Sequence, residues 1–427
     1  MTYPDAIQFL YDLQMFGAKF GLENTFKLAE LAGNPQSKLR FIHVAGTNGK
    51  GSTCAILESI YRASGVRVGL FTSPHMVSFA ERIQVNREPI SEADVVRGVC
   101  EMKTLLADAD RQDANPTFFE VVTVMALKYF AEKECDLVIW ETGMGGRLDA
   151  TNIVTPLASV ITNVELDHQK WLGETIEQIA FEKAGIIKPG VPVVTAENKP
   201  EVLQVIGETA TERRAPLKIV GAEATGAGLL TSIKFPLLGE HQKMNAALAL
   251  ATVEVLQETI PVAGNALRVG LETVTWPGRM QLLQRASGQK VILDGAHNLA
   301  GTEALRKTLK EEFASDSFAL ILGILRDKQF PEICRMLSSL SDKILLVPVG
   351  SERTASPEEL KAICRATNPN AEVTSCETLA QALQQTEASP FVVITGSLYL
   401  IGEAMELMAI SHGKNERGLN EWSPAKK

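Results

Sequence analysis

The sequence of 427 residues predicts an α/β protein with two doubly wound, mostly parallel sheets, the second smaller than the first. Three observations carry this prediction. Short apolar runs at 41–45, 136–141, 157–162 and 191–195 are too uniformly apolar to keep one face in water, and helical stretches separate them. Each run gives way to polar or glycine-rich residues, at the strand ends where open parallel sheets place their ligands. From Gln281 the alternation begins again, with strands at 290–294, 318–325, 343–349, 371–374 and 391–395.

Bulk properties fit this picture. The chain is 45% hydrophobic and 22% charged, ordinary for a globular protein, and a prior of about 150 residues per domain favours more than one core. We divide it into 1–278, 279–411 and a polar tail, 412–427, expected to be disordered. The net charge of −9 argues against a nucleic-acid surface. The first residues lack the basic stretch and apolar core of a signal peptide, and no apolar run is long enough to cross a membrane. Six cysteines at 54, 100, 135, 334, 364 and 376 show no metal-ligand or redox spacing. A cytoplasmic location follows as the expectation.

Residues 4–34 predict one or two short helices with a turn at 16–23. The strand at 41–45 then leads into Gly46-Thr47-Asn48-Gly49-Lys50-Gly51-Ser52 and a helix closed by Gly65, with Ile56, Ile60 and Ala63 on one stripe. Strand, glycine-rich loop and helix make a phosphate cradle: loop N–H groups approach the anion, the helix dipole points at it, and Lys50, on an accessible loop, adds a charge. The usual G-x-x-x-x-G-K-[ST] spacing is broken, because two residues separate Gly46 from Gly49 and Gly51 stands between Lys50 and Ser52. A second strand ends at Ser73 before Pro74, where the hydroxyl serves either a cation or the turn. Thr117 and Glu120 form a capping box opening an apolar helix that carries Phe118 and Phe119.

The strand at 136–141 ends in Glu141, a hard oxygen ligand suited to magnesium beside phosphate. Thr142 to Asn152 follows, with Leu148-Asp149-Ala150 inside it. His168 lies beyond the next strand, and Thr175 and Gln178 cap a helix whose apolar stripe includes the phase of Lys183. Residues 221–238 predict short strands, and Gly239-Glu240-His241-Gln242-Lys243-Met244-Asn245 precedes an alanine-rich helix. Trp276-Pro277-Gly278-Arg279 closes the first part. In the second, strand ends carry Asp294-Gly295-Ala296-His297-Asn298, Asp327-Lys328 and Gly396-Ser397-Leu398-Tyr399, while Ser356 and Glu359 make a capping box.

The loop Gly46–Ser52, the Ser73-Pro74-His75 turn, the run after Glu141, Glu182-Lys183-Ala184-Gly185-Ile186-Ile187-Lys188 and the His241–Asn245 stretch resemble, in order, the motifs of folylpolyglutamate synthases and dihydrofolate synthases within the ATP-dependent Mur ligases. The resemblance implies a P-loop ATPase domain with a mostly parallel sheet followed by a smaller Rossmann-like ligase domain. It implies ATP and two magnesium ions as cofactors, with Ser73, Glu141, His168 and a carbamylated Lys183 as metal ligands. Thr47, Asn48, Gly49, Lys50, Gly51, Ser52, Asn245, Arg279 and Asp294 would bind ATP. Lys50, Lys183 and His297 would be catalytic, and Phe118, Phe119, Leu148, Asp149 and Ala150 would hold the pterin acid. The implied partners are L-glutamate, dihydropteroate and reduced folates, with no nucleic acid and no membrane, for a monomeric enzyme that makes amides through an acyl phosphate. Leu299 stands where the family usually has proline, and Asn24 and Thr25 also depart from its pattern. The alternatives are a folylpolyglutamate synthase without the second activity, a cell-wall Mur ligase, and a nucleotide-dependent switch that ligates nothing.

Overall fold

The computed structural model describes residues 1–14, 21–110, 116–410 and 416. Eight strands form the first sheet: β1 Phe41–Ala45, β2 Val68–Phe71, β3 Ile83–Val85, β4 Glu88–Pro89, β5 Leu137–Glu141, β6 Ala158–Ile161, β7 Val193–Thr195 and β8 Leu217–Ile219. Their order is β4-β3-β2-β5-β1-β6-β7-β8, antiparallel only at the β2-β3-β4 edge. Central β1 is parallel to both β5 and β6, pairing Val44 with Glu141 and with Val160.

The two-residue side-chain period sorts this sheet into two cores. Phe41, Val138 and Trp140 face helices Tyr3–Gln14, Glu23–Leu31 and Phe118–Glu132, while Ile42, Val44, Leu70 and Ile139 face helices Lys50–Ala63, Glu240–Val255 and Gly264–Thr273. Burial on both faces explains the unbroken apolar runs.

The second sheet contains β9 Gln281–Gln284, β10 Lys290–Asp294, β11 Ala319–Leu322, β12 Lys343–Leu346, β13 Glu372–Ser375 and β14 Phe391–Thr395. Its order is β13-β12-β11-β14-β10-β9, parallel except for edge strand β9. Ile292, Leu320 and Ile344 pack on one face, and Val291, Ile321 and Val392 on the other.

Several boundaries differ from the sequence reading. Residues 221–238 contain the turns Ala222–Gly226 and Gly228–Thr231 instead of strands; the short strand of that region, β8, lies just before them. The apolar residues there, Leu230 and Leu237 in the core with Leu229, Ile233 and Phe235 against it, are buried by turns and irregular chain instead of by a strand. The strand before Ser73 stops at Phe71, and Asn245 lies inside its helix, Glu240–Val255. Lys50 is the first residue of helix Lys50–Ala63 and half-buried, so it does not ride on an open loop. The capping boxes at Thr117, Thr175 and Ser356 form as expected. Residues 16–20 of the expected turn, Asn115, and residues 412–415 and 417–427 of the expected tail lie outside the described residues; Glu416 within that tail is buried. Among the described residues, no helix is long and apolar enough to cross a membrane.

Candidate functional site

The carboxyl ends of the two sheets face one cleft of about 760 Å³, lined from both sides. Its floor is the β1 loop. Gly46 has φ +152°, and a Cβ there would run into Thr162 Oγ1. Gly49, at φ +81°, caps helix Lys50–Ala63 with the Asn245 side chain seated where a Cβ would stand. Only glycine allows both conformations and both close approaches. The loop is also tied to the strand beside it: Thr162 Oγ1 donates to the Asn48 carbonyl at 2.7 Å, and the Asn48 N–H donates to Asn163 Oδ1 at 2.8 Å. Lys50 Nζ reaches back to the carbonyls of Gly46 at 3.1 Å and Thr47 at 3.2 Å.

Three buried charges and a half-buried arginine surround this floor. Glu141 ends β5 and accepts the Ser73 N–H at 3.0 Å; burial pushes its carboxyl up to about 7, against the pull of Lys50, Ser73 and Arg279. Lys183, 3% exposed, donates to the Gly46 carbonyl at 2.8 Å, and burial reinforced by repulsion from Lys50 lowers its ammonium to about 7. Asp294 ends β10 and accepts the N–H groups of Met280 at 2.8 Å and Ala296 at 2.9 Å, burial raising its carboxyl. Burial lowers the guanidinium of Arg279, while Asp294 and Glu141 draw it the other way, so one cation serves carboxylates from both sheets.

Two histidines flank these charges. His297 Nδ1 lies 2.7 Å from the Gly295 carbonyl, which can only accept; Nδ1 therefore carries the proton and Nε2 is the basic nitrogen. Burial and Lys328 hold that ring down to about 4. His168 sits at φ +53° ahead of the short helix Gln169–Leu172, with its surface open but enough protein around it to lower the ring to about 4.

The far side of the cleft is aromatic. Phe118 and Phe119 line it, the Arg82 guanidinium lies 5.5 Å over the Phe118 ring, and Phe119 packs on Phe71 with ring centroids 6.0 Å apart. Polar contacts bridge the two sheets at the rim. Asn298 Nδ2 donates to Asn48 Oδ1 at 3.0 Å and to Asp167 Oδ2 at 3.2 Å, and Lys328 Nζ pairs with Asp167 Oδ1 at 2.8 Å.

Comparison with known proteins identifies this arrangement. The Mur ligase middle domain matches residues 44–253, and the Mur ligase glutamate ligase domain matches residues 278–398. The dihydrofolate synthase/folylpolyglutamate synthase of Bacillus subtilis is 39% identical over 94% of this chain and 98% of its own. The chain belongs to the Mur ligase family, in its dihydrofolate synthase/folylpolyglutamate synthase branch. It is an ATP-dependent folate–glutamate ligase. Two solved members share its architecture. The folylpolyglutamate synthase of Thermotoga maritima superposes with TM-score 0.83 at 36% identity, covering 98% of this chain and 99% of that one. The Escherichia coli protein in complex with DHPP and ADP gives TM-score 0.83 at 30% identity, covering 96% and 98%.

For this member of the family, the structure gathers Thr47 to Ser52, Ser73, Glu141, His168, Lys183, Asn245, Arg279, Asp294, His297, Phe118 and Phe119 around the single cleft. Leu148, Asp149 and Ala150 are not among its lining residues. Asp149 is engaged within its own loop, accepting the N–H groups of Met144 at 2.8 Å and Thr151 at 3.0 Å. Among the described residues, no group of three or more His, Cys, Asp and Glu side chains stands ready to hold a metal ion unaided. Residues that motif reading did not pick out also line the cleft: Arg82, Asp167, and Arg353, whose guanidinium is 3.3 Å from the hydroxyl of Tyr399, a residue of the strand-end motif. Asp167 stands one residue before His168 and was legible as a neighbour; the others carry no local signal.

Proposed function

We propose that this ligase adds L-glutamate to two acids in one cleft, dihydropteroate and a reduced folate already bearing glutamate, through an acyl phosphate. The observation that carries the reading is the sharing of one cavity by the phosphate cradle, the aromatic pair Phe118 and Phe119, and the Asp294 and His297 end of the second sheet. The Escherichia coli relative bound to DHPP and ADP supports it, as do the double names of the Bacillus subtilis and Escherichia coli proteins.

A carboxylate resists amide formation because its oxide is a poor leaving group. Attack by a carboxylate oxygen on the γ-phosphorus of ATP expels ADP and leaves a phosphate in its place. The glutamate amine then attacks the acyl carbon, expels that phosphate and gives up a proton. Lys50 and the loop N–H groups hold the phosphates and stabilise the charge that builds on them. Arg279 spans the two sheets and suits a contact to phosphate across the hinge. His297, neutral and with Nε2 basic, can take the amine proton and release it readily. Enclosing both reactants replaces a bimolecular encounter by proximity.

The donor set fits magnesium: a buried carboxylate held near 7 for want of a full counter-charge, with a serine beside it. Glu141, Ser73, His168 and a carbamylated Lys183 are the residues that would hold two ions, phosphate and water oxygens completing the shells. Bound there, magnesium would neutralise phosphate charge. An amine near 7 is partly neutral at physiological pH, as reaction with carbon dioxide requires; nitrogen bonds carbon, a proton leaves, and a cation becomes an anion. We take the division at the hinge as 1–278 and 279–411, and the working state as a cytoplasmic monomer; the six unpaired cysteines suit a reducing compartment.

One second reading has an observation behind it. Leu148, Asp149 and Ala150 stand outside the cleft lining, and the Lacticaseibacillus casei and Thermotoga maritima relatives bear the folylpolyglutamate synthase name alone. Mass spectrometry of products from ATP, glutamate and each acid separates the two. Dihydrofolate from dihydropteroate is the expected result; normal elongation of tetrahydrofolate with no dihydrofolate would establish the single activity.

A further inference from the structure

Glu416 is distant in sequence from every motif, yet it is 5% exposed and its bonds converge on one loop. Its Oε2 accepts from the Phe79 N–H at 2.6 Å, the Tyr3 hydroxyl at 3.1 Å and the Ser78 hydroxyl at 3.2 Å. Its own N–H donates to the Val77 carbonyl at 3.0 Å. Its carbonyl lies 3.0 Å from His75 Nε2. All but Tyr3, which comes from helix Tyr3–Gln14, belong to the segment between Ser73 and Arg82, whose Met76 and Val77 pack into the second sheet's core beside Leu400 and Ile401. The same segment ends at Arg82 over Phe118.

The hydrogen-bond arithmetic makes this a relay. Arg82 Nε–H can only donate, and it is 2.8 Å from His75 Nδ1, so Nδ1 is the acceptor. The neutral ring then carries its proton on Nε2, pointing at the Glu416 carbonyl. One tautomer satisfies both bonds, and the ring links the Glu416 backbone to the orientation of Arg82. The carboxyl group of Glu416 secures the other side of the loop by accepting the first N–H of the turn Phe79–Arg82.

We infer that Glu416 is a positioning residue for the acid-binding half of the cleft, fixing the His75–Arg82 segment through Phe79 and through His75 so that Arg82 and Phe118 present one surface to the pterin acid. The nucleotide floor is held by other bonds, those from Thr162, Asn163 and Lys50, and does not depend on Glu416. The inference rests on reading the Phe118 side as the seat of the acid. It concerns the ratio of variant to wild type for whichever acid the wild-type enzyme converts, so failure to accept dihydropteroate would leave it standing.

The test is steady-state kinetics of the full chain with acid, ATP and glutamate varied in turn. Glu416→Ala raises KM for the acid about tenfold, the loss equivalent to ~1.4 kcal/mol of binding, while KM for ATP and glutamate stay within about twofold. Glu416→Gln keeps an acceptor oxygen and restores most of the acid affinity. Combining Glu416→Ala with Arg82→Lys gives less than the product of the separate effects, because both act on one surface. Should Glu416→Ala fail to fold, Tyr3→Phe, which removes one donor, raises the acid KM about threefold by the same route. An acid KM unchanged in every variant that folds, or an equal rise in all three KM values, overturns the inference.

Discussion

The two walls of the cleft are built by different means. The β1 wall is contiguous: residues 46–49 form a loop that runs into the first turn of helix Lys50–Ala63, its conformation depends on glycines at φ +152° and +81° and on backbone N–H groups, and Lys50 folds back over the loop's carbonyls. The opposite wall is assembled from side chains of separate strand ends and loops, Asp294 with His297, Lys328, Arg353 and Tyr399, each fixed by polar bonds to its neighbours. A wall made of backbone is preorganised but brittle, because one added carbon disturbs every donor in it. A wall made of side chains is adjustable, and its losses are graded.

Breaking the backbone wall has the largest expected effect. Lys50→Ala lowers kcat/KM by at least about a hundredfold, on the order of 3 kcal/mol of barrier, while the melting temperature hardly moves. Retention of more than about a tenth of wild-type turnover would remove Lys50 from its role. Gly46→Ala drives a Cβ into Thr162 Oγ1 at a backbone angle that alanine rarely takes. It should lose nucleotide affinity and stability together, measured by calorimetric titration and thermal melting; a variant that binds ATP normally would show that this loop is not rigid.

The side-chain wall should yield by degrees. Lys328→Met removes the cation paired with Asp167, leaving it only uncharged donors such as Asn298 Nδ2, and is expected to cost about tenfold in kcat/KM, with a larger radius by small-angle scattering as the rim contact weakens. The pH dependence sharpens this. Burial pushes the Asp167 carboxyl up, but Lys328 and the two nearby histidines pull it further down, below the usual carboxylate range. A depressed carboxylate stabilises the closed form fully above the ordinary aspartate value and loses that contribution as pH falls through its lowered value. The contribution of this pair should therefore be flat across neutral pH; a scattering radius that changes between about pH 9 and pH 7.5, above the range in which His168 and His297 would take up protons on opening, would contradict the pairing.

The smallest effect lies outside both walls. Ser356→Ala removes the N-cap of helix Pro357–Thr367 and should cost about 1 kcal/mol of stability with unchanged kinetics. A kinetic effect there would mean that the second sheet transmits strain to the cleft.

The same contrast explains what the sequence made legible. The cradle, Glu141 at a strand end and the capping boxes are local patterns, a few residues long, whose physics acts between neighbours. The β1 loop is one of these, so it could be read before any geometry existed. Asp167 with Lys328, Arg353 with Tyr399, and Glu416 with Phe79 are separated by 161, 46 and 337 positions, and nothing in their local sequence marks them as partners. The short strands expected at 221–238 failed because Leu230, Leu237 and their apolar neighbours reach the core from turns and irregular chain, with no strand pairing beyond β8 among the described residues. Leu148, Asp149 and Ala150 came from resemblance; locally, Asp149 reads as the cap of the turn Ala150–Ile153, and that is the position the fold gives it.

The central claim is that one cleft serves both acids, and competition measures it most directly. Dihydropteroate should inhibit tetrahydrofolate elongation competitively, with an inhibition constant equal to its own KM as a substrate, because each acid must occupy the same place before the same phosphate. Non-competitive inhibition, or summed rates when both acids are present at saturation, would show two separate sites and contradict the account.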